Sequence, residues 1–194
     1  MSTLFPTVSR PVRFLAAGVT AAGLTAAAAT SATSVLSPAQ AAPAGASSAA
    51  SSVAACGNDD VTASYRVTDA GMSHVYGRLV LTNTSAGACS IHGYGGLSYV
   101  GGGDGTQIGA AADRTPGKVR TVVLASGEKA VSVVEETSTG PYSKKKCRPT
   151  KVDGFRVYVP GATASQFVKH RTTGCRNDAV HLLAHKPFRK VVGH

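Results

Sequence analysis

Four cysteines, Cys56, Cys89, Cys147 and Cys175, are spread so widely that no two lie closer than 28 positions. A structural zinc site draws its ligands from close pairs such as Cys-x-x-Cys, so this spacing speaks against one. An even number of cysteines in an exported chain reads instead as two disulfides. The count alone leaves three pairings open. Whichever holds, four distant points of the chain must meet two by two, and that limits the topologies available.

Export itself is read from the start of the chain. Arg10 and Arg13 precede an uncharged apolar run from Phe14 to Ala29, and Ala39-Gln40-Ala41 has the small-x-small form of a cleavage site. The run is too rich in Ala, Gly and Thr to serve as a membrane span of about 20 strongly apolar residues. Residues 1–41 are therefore expected to be a signal peptide. Residues 42–55, nearly all Ala, Ser, Gly and Pro, are expected to be a flexible leader. "VAAC", ending at Cys56, resembles a lipoprotein box, but it lies well past the apolar run, and lipidation would leave an odd number of cysteines. Residues 56–190 remain for one folded domain, long enough to bury a core.

That region reads as short strands separated by turns. In "VTASYRV", Val61, Ala63, Tyr65 and Val67 share one face. In "VYGRLVLTN", Val75, Gly77, Leu79 and Leu81 alternate with Tyr76, Arg78, Val80 and Thr82. Period-2 alternation marks half-buried strands. "SIHGYGGLSYV", "VRTVVL", "KAVSVVEE", "FRVYVP", "SQFVKH" and "AVHLLAH" extend the series, and no segment carries helical periodicity over three turns. The expected fold is all-β, an antiparallel immunoglobulin-like β-sandwich stapled by disulfides. The chain has no tryptophan, so only the layering of that fold is meant. If the first two strands form a hairpin, Cys56 and Cys89 arrive at the same end. Cys147 and Cys175 flank a second up-and-back pair. Strand counting thus favours Cys56–Cys89 and Cys147–Cys175. Gly93, Gly95 and Gly96 would let the chain turn sharply beside the first bridge.

These motifs resemble a secreted actinobacterial family, domain of unknown function 4232. Thr82-Asn83-Thr84, then Cys89, Ile91, Gly93 and Tyr94, follow its pattern, as do Leu124-Ala125-Ser126-Gly127 and Cys147-Arg148-Pro149 ahead of "FRVYVP". Gly95 and Ser126 stand where the family carries proline. The resemblance implies a secreted or envelope-attached β-sandwich with no known activity, and so no catalytic residues to transfer.

The chemistry-bearing residues are read the same way. No nucleophile elbow G-x-S-x-G appears. Glu135 and Glu136 are neighbours on a strand and point to opposite faces, which does not suit paired-carboxylate catalysis. An enzyme is not expected. Neither "GGGDG" nor Asn58-Asp59-Asp60 has the context of a phosphate or calcium loop, and Asn83-Thr84-Ser85 is taken as a turn. His181 and His185, two strand periods apart, and Met72 with His74 are weak candidates for copper or zinc. No cofactor is expected.

Charge carries the leading functional expectation. The chain has a net charge of +10, unevenly placed. Residues 42–143 hold six basic and eight acidic residues, whereas residues 144–194 hold twelve basic and two acidic. The densest run is "KKKCRPTK", with Lys144, Lys145, Lys146, Arg148 and Lys151. Lys169, Arg171, Arg176, Lys186, Arg189 and Lys190 follow. A basic C-terminal third on an exported chain fits a non-catalytic envelope module contacting a polyanion, either an anionic cell-wall polymer or an acidic lipid surface. Nucleic acid is not expected as a partner. The alternative function is a secreted metal-binding protein.

Overall fold

The protein is described by a computed structural model covering residues 53–191. The expected signal peptide (1–41) and most of the leader (42–52) lie outside the described residues. The end of the leader belongs to the fold. Ala55 forms a bridge with Ser90, and the Ala54 carbonyl accepts the Ser90 N–H at 2.8 Å.

The first sheet runs in the order β1 (Val61–Gly71), β2 (His74–Asn83), β8 (Lys129–Thr137), β11 (Leu183–His185), β6 (Asp113–Arg114). The strand β12 (Arg189–Lys190) also pairs with β8. The second sheet runs β10 (Ser165–Cys175), β9 (Pro149–Tyr158), β4 (Gly96–Gly101), β5 (Thr106–Ala111). A small third sheet joins β3 (Cys89–His92) to β7 (Thr121–Leu124). All pairs between these strands are antiparallel except β11 with β6. The only helix among the described residues is α1 (Lys144–Cys147), and no helix there is long and apolar enough to cross a membrane.

The alternation in the sequence becomes the layering. On β2, Leu79 and Leu81 are buried while Arg78 is exposed and Val80 half-buried. On β9, Phe155 and Val157 are buried inward. These residues join Val61, Ala130 and Val134 from the first sheet and Leu97, Tyr99 and Val168 from the second in one core. Each fully buried large apolar side chain contributes about 1.5–3 kcal/mol. Val67 departs from its expected face. It is 46% exposed, because a bulge between Val67 and Asp69 breaks the register with β2.

Two disulfides are present, Cys56–Cys89 and Cys147–Cys175, the pairing that strand counting favours. Beside the first, Gly93 takes a φ of 76°, the turn expected of it. Gly95 serves a different need: a Cβ there would strike the Tyr158 carbonyl, so a close backbone approach requires glycine. Gly77 lies beneath the Tyr65 ring, in the space a side chain would fill.

As the first strand in its sheet, β1 has an open side. The Gln166 side chain reaches across from β10 to fill part of it. Its Oε1 accepts the Ala63 N–H at 2.8 Å and its Nε2 donates to the Val61 carbonyl at 2.7 Å.

Candidate functional site

The predicted basic surface divides into two places. Ser143 caps α1, its Oγ accepting the Lys146 N–H at 3.3 Å. Cys147, fully buried in its disulfide, anchors the turn, and Lys144, Lys145 and Lys146 stand exposed around it. Arg148 follows in a left-handed conformation and closes the turn through its N–H on the Lys144 carbonyl at 2.8 Å.

Lys151 belongs elsewhere. On β9 it lines a hollow of about 710 Å³ with Arg176, beside the loop that joins β4 to β5. An adjoining hollow of about 520 Å³ holds Lys169, Arg171 and Phe167, all exposed on β10. Val168 between them is buried in the core, so Phe167 and Lys169 occupy the outward face of the second sheet. The two hollows share Gly103 and Asp153. Their carboxylates are committed to the loop. Asp153 accepts the Gly103 N–H at 2.9 Å, and Asp104 accepts the Thr106 N–H at 2.9 Å, a bond that holds the Asp104 carboxyl below its ordinary pKa. The Arg156 guanidinium donates to the Gly105 carbonyl. The acidic groups shape the loop, and Lys151, Lys169, Arg171 and Arg176 surround it.

The interior holds a buried carboxylate whose partners the sequence does not reveal. Glu136 on β8 is 4% exposed, yet its carboxylate accepts three hydrogen bonds. Tyr65 donates to Oε1 at 2.5 Å, and Tyr99 donates to Oε2 at 2.5 Å. His170 Nε2 lies 2.9 Å from Oε2. His170 also stacks on Phe155, with ring centroids 4.8 Å apart. Burial pushes the Glu136 pKa up, but the bonds from His170, Tyr65 and Tyr99 outweigh it and hold the carboxyl below its ordinary value. Burial, reinforced by Glu136, raises both tyrosines. Tyr65 and Glu136 belong to the first sheet, Tyr99 and His170 to the second. The network therefore ties one layer to the other. A cleft of about 440 Å³ lined by Glu136, His170 and several threonines opens beside it, but all three donors already point at the carboxylate.

The histidine candidates for a metal do not converge. The expected strand "AVHLLAH" is ordered as β11 only from Leu183, and Leu182 and Leu183 are both buried, which breaks the period-2 parity. His181 consequently faces outward and pairs with Asp113 at 2.9 Å. His185 is 2% exposed, with Nδ1 3.2 Å from Ser132 Oγ. Ser132 donates its own proton to the Lys186 carbonyl at 2.5 Å, so this serine is not oriented as a nucleophile for the histidine. Burial, with Arg114 nearby, lowers the His185 pKa. His74 pairs with Glu135 at 2.9 Å, while Met72 sits fully exposed at the β1–β2 turn. Among the described residues, no three His, Cys, Asp or Glu side chains are grouped to hold a metal ion.

Asn83 explains the Thr-Asn-Thr motif. It is 1% exposed, and its Nδ2 donates to the carbonyls of Gly87 at 2.8 Å and Leu124 at 2.9 Å. Its Oδ1 accepts from the Ser85 N–H at 3.0 Å and the Ser85 hydroxyl at 2.8 Å. One amide thus fixes two loops.

Comparison with known proteins gives one match. The family model described as Domain of unknown function (DUF4232) matches residues 56–188. Neither the curated proteins nor the solved structures give a match.

Proposed function

The chain belongs to the DUF4232 family, and from that premise we propose that it is an exported, non-catalytic binding module of the actinobacterial cell envelope whose basic C-terminal third contacts a polyanion. The observation that carries this reading is the double hollow on the second sheet. Four cations, Lys151, Lys169, Arg171 and Arg176, outnumber the two carboxylates at the loop they surround, Asp104 and Asp153, each of which accepts a backbone N–H. Phe167, 60% exposed, gives an apolar surface beside them. Two disulfides fit an oxidising compartment outside the cytoplasm. The Lys144–Lys146 turn adds charge to the same third of the chain. The alternative, a copper or zinc protein using His181 and His185, gains no support from two histidines held by different partners.

The test is co-sedimentation of the protein with purified cell-wall sacculi across a salt titration. Wild type is expected to bind at low salt and to release as salt screens the contact. Lys169→Glu with Arg171→Glu and Arg176→Glu is expected to weaken binding at least tenfold. Lys144→Glu with Lys145→Glu and Lys146→Glu is expected to weaken it less. Binding that is undiminished in the first variant would remove the groove from the reading.

A further inference from the structure

The outward face of the first sheet carries a second cationic surface, and three of its four cations come from residues 42–143, whose net charge is negative. Arg66 on β1 and Arg78 on β2 are directly opposite one another in the strand register. Lys129 on β8 and Arg189 on β12 complete a hollow of about 900 Å³. All four are exposed, and no carboxylate lines the hollow. Among the described residues, none of the four makes an ion pair. Glu135, on β8, is engaged with His74, and Glu128, in the turn before it, with Lys190.

The register gives the arrangement. Val80 pairs with Val131, and Arg189 pairs with Val131 from the other side. Arg66 and Arg78 lie one row further along in one direction, and Lys129, opposite Thr82, lies one row along in the other. The cations thus surround a floor of Val80 and Val131. Adjacent strands are spaced by roughly 4.8 Å, so the four strands β1, β2, β8 and β12 spread them over about 14 Å. Like charges placed directly opposite on neighbouring strands destabilise a sheet. An anion lying between Arg66 and Arg78 turns that repulsion into shared binding.

We propose that this face is a second, independent binding site, and that it takes a linear polymer of phosphodiester groups joined by short uncharged carbon segments. Three of the four cations are arginines, whose planar forks match phosphate oxygens. The valine floor accommodates the carbon segments between charges, and about 14 Å admits two or three successive phosphates. No aromatic side chain lines the hollow, so nucleic-acid bases would have nothing to stack on. The site lies on the opposite layer from the groove around Lys151 and does not depend on it.

The experiment isolates this face by using the full exported chain with Lys169→Glu, Arg171→Glu and Arg176→Glu already in place. Binding to linear poly(glycerol phosphate) is measured by calorimetry at low salt, beside single-stranded DNA and anionic phospholipid vesicles. The expected result is binding to the polymer that falls at least tenfold on adding Arg66→Gln, Arg78→Gln and Arg189→Gln. Arg66→Gln alone is expected to weaken binding severalfold while raising Tm, because it removes one of two facing charges. Unchanged affinity in the triple glutamine variant would overturn the site. Equal or tighter binding of vesicles or DNA through the same arginines would overturn the choice of polymer. A fall in Tm in the Arg66→Gln variant would overturn the argument from unrelieved repulsion and make the pair a structural one.

Discussion

Asn83 and Glu136 show how much of the fold rests on single buried polar groups. Replacing Asn83 with alanine leaves the Gly87 and Leu124 carbonyls without their donor. The expected cost is roughly 1–3 kcal/mol, read from the urea midpoint at unchanged m-value. Asn83 was visible in the sequence as part of a turn motif, because its contacts with Ser85 and Gly87 are local. Glu136 was legible only in part. Strand alternation correctly separates it from Glu135, one side chain inward and one outward. Its three partners come from β1, β4 and β10, at separations of 71, 37 and 34 residues. Periodicity assigns a face but does not say what stands opposite across the core. Arg66 and Arg78 were missed for a related reason. Net charge along the chain does not reveal them, because strand register brings the two together.

At the scale of elements, β8 is the hub. It pairs with β2 along one side and with β11 and β12 along the other, and it carries Glu136 into the core. The long alternating strands were readable because one face is buried and the other wet. The short ones were not, because two or three residues carry too little pattern. Hence β11 proved shorter than "AVHLLAH", and β6 pairs parallel through only two residues. The triple lysine is a charge run in the sequence, and its fold as a capped helical turn depends on Ser143 and the buried Cys147. Each disulfide fastens a different edge of this arrangement. Removing the second with Cys147→Ser and Cys175→Ser releases a loop of 28 residues. A loss of roughly 3–4 kcal/mol is expected on the chain-entropy account, checked by denaturant unfolding beside the wild type.

For the whole molecule, stability should follow a broad plateau in pH bounded by identifiable groups. His185 has a depressed folded pKa, so its contribution is present above its ordinary value of 6.5 and is lost as pH falls below it. Glu136 is also depressed, so its contribution holds above 4.5 and is lost as pH falls through its folded pKa. Tyr65 and Tyr99 are raised, so theirs holds below 10.0 and is lost as pH climbs past it. Unfolding free energy measured from pH 3 to 11 is expected to decline in two stages on the acid side. In Glu136→Gln the second stage should shrink, on a baseline lower by about 1.5–3 kcal/mol because the donors around it lose their charged acceptor. The two sheets of the molecule turn their outer faces in opposite directions, one toward each proposed anionic contact, while this network closes the space between them.

The amide of Gln166 laid along β1 has a consequence for copies of the protein in company. A bare outer strand invites a neighbour to zip on and extend the sheet from molecule to molecule. Here a side chain of the same molecule already occupies the first rung, at Val61 and Ala63. Crowded together, such copies meet a strand whose first rung is already taken, so a neighbour has to begin its pairing further along.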